Sequence, residues 1–181
     1  MKWVAIILGV LVALVLVVAL IGAMLPKSHV AVRSARFHRP ADELFKTVTD
    51  VAAAASWRKD IQRIEMLPPT DSRIAWREVS KNGTVSYDGE VVRSPMPSVP
   101  GRFISRITDK NLPYGGEWII DVAINRDGSI VTVTENGEVY NVIFRFASKF
   151  IMGQTASIDG YLRALGTSVG EDVTPGDATP V

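Results

Sequence analysis

Hydrophobic positions in this chain follow three rhythms, and each predicts a different element. From Trp3 to Leu25 there is no charged residue and no period: the run is almost wholly Val, Leu, Ile, Ala and Gly. As a helix, Val4 to Leu25 would extend about 33 Å, enough to cross a hydrocarbon core of roughly 30 Å. Pro26 stops that helix, and Lys27 stands where a cation reaches headgroups. A cleaved signal peptide would carry an apolar core of about 7–15 residues ending in A-x-A. Here the run is longer, and Ile21 occupies the small-residue place if cleavage followed Ala23. Residues 3–25 therefore read as a single transmembrane helix.

Beyond the anchor the rhythm shortens. His29 to Phe37 is extended, with Val30, Val32 and Phe37 among polar residues. Pro40 suits the first turn of a helix whose positive end is complemented by Asp42 and Glu43, with Leu44, Phe45 and Val48 as its apolar stripe. Val51 to Trp57 is alanine-rich and predicts a second short helix, before Ile61, Ile64, Met66 and Leu67 lead into Pro68-Pro69. Then strands dominate. Ile74 to Val79 meets a tight-turn signal at Asn82-Gly83, followed by Thr84 to Val92. After a loop holding Pro95, Pro97 and Pro100, Arg102 to Thr108 reads as a strand. Trp118, Ile120, Val122 and Ile124 share one face by strict alternation, and Asp127-Gly128 turns that strand into Ile130 to Tyr140. Strands joined by such short turns are antiparallel.

From Asn141 to about Leu165 the period is helical, with Ile143, Phe146, Phe150, Ile158, Tyr161, Leu162 and Leu165 on a broad face and Gly166 as its stop. Gly153 and Gly160 weaken this long helix, so packing must hold it. The predicted division is an anchor over 3–25, one domain over 29–166 and a tail over 167–181. The tail is acidic and carries Pro175, Gly176 and Pro180, a composition that predicts disorder.

Composition narrows the chemistry. The chain has 181 residues, a formal charge of +1 and no cysteine, which excludes a disulfide framework and a thiolate site. No Arg/Lys run interleaves with aromatics, so no nucleic-acid partner is expected. Lys27, Arg33, Arg36 and Arg39 follow the anchor and only Lys2 precedes it, which favours the cytoplasmic side for the domain. There is no G-x-S-x-G elbow, P-loop or G-x-G-x-x-G. His29 and His38 lack metal-ligand spacing, and no metal or cofactor is expected.

The order of elements resembles the START-like, or SRPBCC, superfamily. Phe37-His-Arg-Pro-Ala-Asp-Glu-Leu-Phe45 is similar to its first strand entering a helix through proline. Ala55-Ser-Trp57-Arg-Lys-Asp60 is similar to its motif before the second strand. Gly115-Gly116-Glu-Trp118 and Thr134-Glu-Asn-Gly-Glu-Val-Tyr140 are similar to strands of membrane-anchored bacterial members labelled polyketide cyclase or dehydrase. The resemblance spans His29 to Leu165. It implies an α+β helix-grip fold, a curved antiparallel sheet around a long C-terminal helix, with a pocket between them.

In that fold Trp76, Tyr87, Trp118, Tyr140, Phe146 and Phe150 are the large side chains able to line the pocket, with Trp57 near its rim. Aromatics at strand or helix spacing more often fill a core than contact a ligand. Alternation through Val131-Thr-Val133-Thr-Glu135 sets Glu135 on the inner face, where a carboxylate needs a partner, for which Arg106 is the candidate. The expected function is membrane-anchored binding of a hydrophobic small molecule or lipid, without chemistry. The alternatives are a cyclase or dehydratase using Glu135, with Tyr87 or Asp88, and a structural or protein-interaction module.

Overall fold

The computed structural model describes residues 2–93, 101–153 and 155–178. The proline loop at Pro95, Pro97 and Pro100 lies outside the described residues. Helix α1 (Lys2–Met24) comes first, followed by β1 (Ser28–Phe37), α2 (Ala41–Thr49), a 3₁₀ turn (Val51–Ala53) and α3 (Ala54–Trp57). Six strands follow: β2 (Ile61–Thr70), β3 (Arg73–Ser80), β4 (Gly83–Arg93), β5 (Gly101–Ile107), β6 (Tyr114–Asn125) and β7 (Gly128–Val139). The chain then forms α4 (Val142–Ala147), a π turn (Ser148–Met152), α5 (Ala156–Ser168) and the short β8 (Gly176–Asp177).

All eight strands form one antiparallel sheet in the order β2-β3-β4-β5-β6-β7-β1-β8. Its inner face is the apolar one that alternation assigns. Ile120 opposite Val133, and Val122 opposite Val131, are buried against Leu44, Phe45 and Val48 of α2 and Ile158, Leu162 and Leu165 of α5. Ile124 continues this face past the core, and is exposed. Pro68-Pro69 falls inside β2, an edge strand, where the pairing with β3 breaks between Leu67 and Thr70. An edge tolerates proline because its N–H side faces no neighbour.

Two expectations need correction. The long terminal helix is in two pieces, broken at Gly153, whose φ of 76° is left-handed and favours glycine. Only α5 crosses the sheet, and it runs through Gly166 to Ser168. The tail from 167 through 178 is ordered rather than disordered. Val173 joins the core, β8 pairs with Arg33 and Ser34 of β1, and the Glu171 carboxylate accepts from the His38 backbone N–H at 2.9 Å. Arg33 clamps the arrangement, reaching Asp159 of α5 at 2.7 Å, the Pro175 carbonyl at 3.1 Å and Asp177. The composition hid this because one buried valine and one arginine clamp suffice to hold a short strand.

Removing residues 171–181 is therefore expected to lower stability by about 2 kcal/mol or more, the worth of burying a valine side chain. A shifted urea midpoint would show it. An unchanged midpoint would mean that the tail contributes nothing.

Candidate functional site

The interior between sheet and α5 is walled by aromatic side chains on four elements. Trp57 ends α3, Trp76 lies on β3, Trp118 on β6 and Tyr161 on α5. The Tyr161 ring meets Trp57 edge-on at 5.4 Å and Trp118 at 5.6 Å and 87°. Trp76 stacks on Tyr87 at 5.4 Å and on Phe103 at 6.1 Å. Trp57, Trp76, Phe103, Trp118 and Tyr161 line a cavity of about 50 Å³, together with Val48, Val51, Ala54, Ser105 and Ile120. That volume holds water, whereas ligand pockets run to roughly 300–1,000 Å³.

One wall of the cavity is charged. Arg58 Nη1 donates to Glu78 Oε1 at 2.9 Å, and Arg58 Nη2 to Asp60 at 2.9 Å. The guanidinium lies 5.8 Å from the Tyr161 ring centre. Trp76 Nε1 donates to the same Glu78 oxygen at 3.3 Å. Burial opposes the charge on Arg58, but Glu78 and Asp60 outweigh it and its pKa is raised. Burial pushes the Tyr87 and Tyr161 phenols well above their ordinary range, so both stay neutral. Trp57 Nε1 is buried and finds no acceptor among the described residues. The cavity is thus lined by aromatic rings and by the Arg58–Glu78 pair, and the Trp57 indole on its wall keeps a spare N–H donor.

Of the residues expected here, Trp57, Trp76 and Trp118 line the cavity, and Tyr87 backs Trp76. The others lie elsewhere. Arg106 is on the outer face, where it bonds Glu90 at 3.1 Å and Glu117 at 3.0 Å, because Phe103 and Ser105 take the inner positions of β5. Asp88 also faces out, bonded to Arg73 at 3.3 Å. Glu135 is on the inner face, opposite Trp118 in the sheet, but its partners are His29 at 3.5 Å and Ser157 at 3.4 Å, and it does not line the cavity.

Tyr140 is exposed and bonds Glu138 at 2.7 Å. Phe146, on the helix α4 that packs against α1, and the exposed Phe150 pack on each other at 5.0 Å before the Gly153 break, and neither lines the cavity. Sequence reasoning missed Arg58, Glu78 and Tyr161 as site residues. The signal for Glu78 was available, since it shares the even-numbered face of β3 with Trp76.

Solved structures share this architecture at low identity. A START superfamily protein from Mycobacterium smegmatis matches with TM-score 0.52 and 12% identity over 78% of this chain and 96% of that one. A STAR-related lipid transfer protein from Xanthomonas axonopodis gives 0.52 and 18% over 80% and 94%. The Zhui aromatase/cyclase of a Streptomyces species gives 0.52 and 10% over 76% and 88%. No protein-family model and no curated protein matches the chain. The protein has the START-like, or SRPBCC, helix-grip fold.

Proposed function

We propose that this chain is a membrane-anchored START-like domain that takes up a hydrophobic small molecule or lipid between its sheet and α5, without chemistry. The observation that carries the reading is the aromatic-walled cavity, whose lining includes the Arg58–Glu78 pair and Trp57 with its unspent N–H. At about 50 Å³ the cavity is too small for such a cargo, so uptake requires one wall to move. One wall is the 3₁₀ turn and α3, seven residues from Val51 to Trp57 whose displacement carries the Trp57 indole outward.

Support for the anchor comes from α1, a 23-residue helix long and apolar enough to cross a bilayer, with none of its most apolar stretch buried inside the protein. A soluble core helix would be covered. The excess of Lys and Arg after α1 supports the cytoplasmic side for the domain. Similarity to a lipid transfer protein adds fold-level support for an apolar cargo.

Lipid extraction and mass spectrometry of the purified full chain test the reading. Wild-type protein should release a stoichiometric apolar compound, and Ser105→Phe, which fills the cavity, should lower its recovery by about tenfold or more. Equal recovery from a folded Ser105→Phe variant would refute internal binding. The half-buried ion pair favours a second reading, a cyclase-type enzyme, in which Glu78 rather than Glu135 moves the proton. In that case Glu78→Gln would abolish turnover of an apolar substrate while leaving its uptake intact; under the binding reading the compound recovered is chemically unaltered in both proteins.

A further inference from the structure

We infer that the segment Val142–Met152 is a second membrane element, seated at the boundary between headgroups and acyl chains of the bilayer that α1 crosses. The inference rests on the reading of α1 as an anchor. Helix α4 packs along the last turns of α1 so closely that a Cβ on Gly22 would stand 1.9 Å from the Val142 carbonyl oxygen. Gly22 lies near the end of the apolar run, about 5 Å short of Leu25 at roughly 1.5 Å per residue. Contact at that level sets α4 at interfacial depth.

Arg145 fixes the contact. Its buried guanidinium donates to the Gly22 and Leu25 carbonyls at 3.3 and 3.1 Å, and to those of Val139 and Tyr140 at 3.0 and 3.1 Å. The first two are C-terminal carbonyls that a helix leaves without internal partners. Anchor and domain are thereby joined rigidly rather than by a free linker.

The segment also shows the wrong surface for water. Ile143, Phe150 and Ile151 are 48%, 60% and 74% exposed, on α4 and the π turn that follows it, and α4 packs against the equally bare α1. Lys149 stands among them, exposed, on a stem long enough to reach phosphates. An apolar surface with a cationic rim, continuous with a membrane helix, fits the interface of that same membrane better than a second protein. Stacking of Tyr114 on Phe144 at 5.8 Å ties the start of β6 to this element. Trp118, which lines the cavity, lies four residues further along β6, about 13 Å from Tyr114 at roughly 3.3 Å per residue.

The chain has no cysteine, so single-cysteine variants of the full protein can carry an environment-sensitive fluorophore. Leu14→Cys, Ile151→Cys and Asp71→Cys would be reconstituted in phosphatidylcholine–phosphatidylglycerol vesicles whose acyl chains are brominated either near the headgroup or near the methyl end. The inference expects Ile151→Cys to be quenched more by shallow bromine, Leu14→Cys more by deep bromine, and Asp71→Cys by neither. Quenching at Leu14→Cys with none at Ile151→Cys would overturn the inference and leave the anchor standing. No quenching at Leu14→Cys would remove the anchor reading itself, and the inference with it. An unquenched Ile151→Cys label whose emission shifts to the blue with protein concentration would overturn it in favour of a second copy of the chain.

Discussion

Replacing Arg58 by methionine will destabilise the domain by about 3–5 kcal/mol, because it strands a carboxylate among aromatic rings. Glu78 accepts from Arg58 at 2.9 Å and from Trp76 Nε1 at 3.3 Å, and the neutral indole alone does not offset a buried charge. Methionine matches the arginine stem in bulk, so lost packing contributes little. The penalty should shrink when Glu78→Gln is added, since the pair is then removed as a unit. Urea midpoints of the two single variants and the double variant measure the coupling. A cost for Arg58→Met under about 1 kcal/mol would show that the pair behaves as an exposed one.

Leu162→Ala will cost about 2–5 kcal/mol, the range for a fully buried leucine. Leu162 has no exposed surface and sits on the face of α5 that also buries Ile158 and Leu165. The helix has only 13 residues, two of them glycine, so its own propensity is weak and the sheet must hold it. The loss should appear as a lower urea midpoint with little change in slope. A cost below about 1 kcal/mol would mean that α5 is held by something other than its buried face.

The sheet was legible because its inner face alternates cleanly where it is most buried. Trp118, Ile120 and Val122 on β6, and Val131 and Val133 on β7, fall where the period of two puts them. Arg106 was misplaced because β5 alternates Phe103 and Ser105 with Ile104 and Arg106, a pattern in which either face looks mixed. Phe146 and Phe150 were misassigned because a helical period continues through Gly153 in the sequence, whereas a left-handed glycine redirects the chain.

The tail was misread for a different reason. Its structure comes from pairings with β1 and Arg33, more than a hundred positions away, which local composition cannot register. The charged wall formed by Arg58 and Glu78 was half visible. Alternation places Glu78 inward, but only the fold brings α3 across β3 to supply its partner.

The most direct test of the account is a high-resolution structure of the full chain in lipid nanodiscs, purified without removing what it carries. The account predicts continuous ligand density between Trp57, Trp118 and Tyr161, an acceptor oxygen within hydrogen-bonding reach of Trp57 Nε1, and an outward shift of Val51 to Trp57. The same three rings around an unexpanded cavity of about 50 Å³, with water alone inside and lipid only along α1, would contradict it.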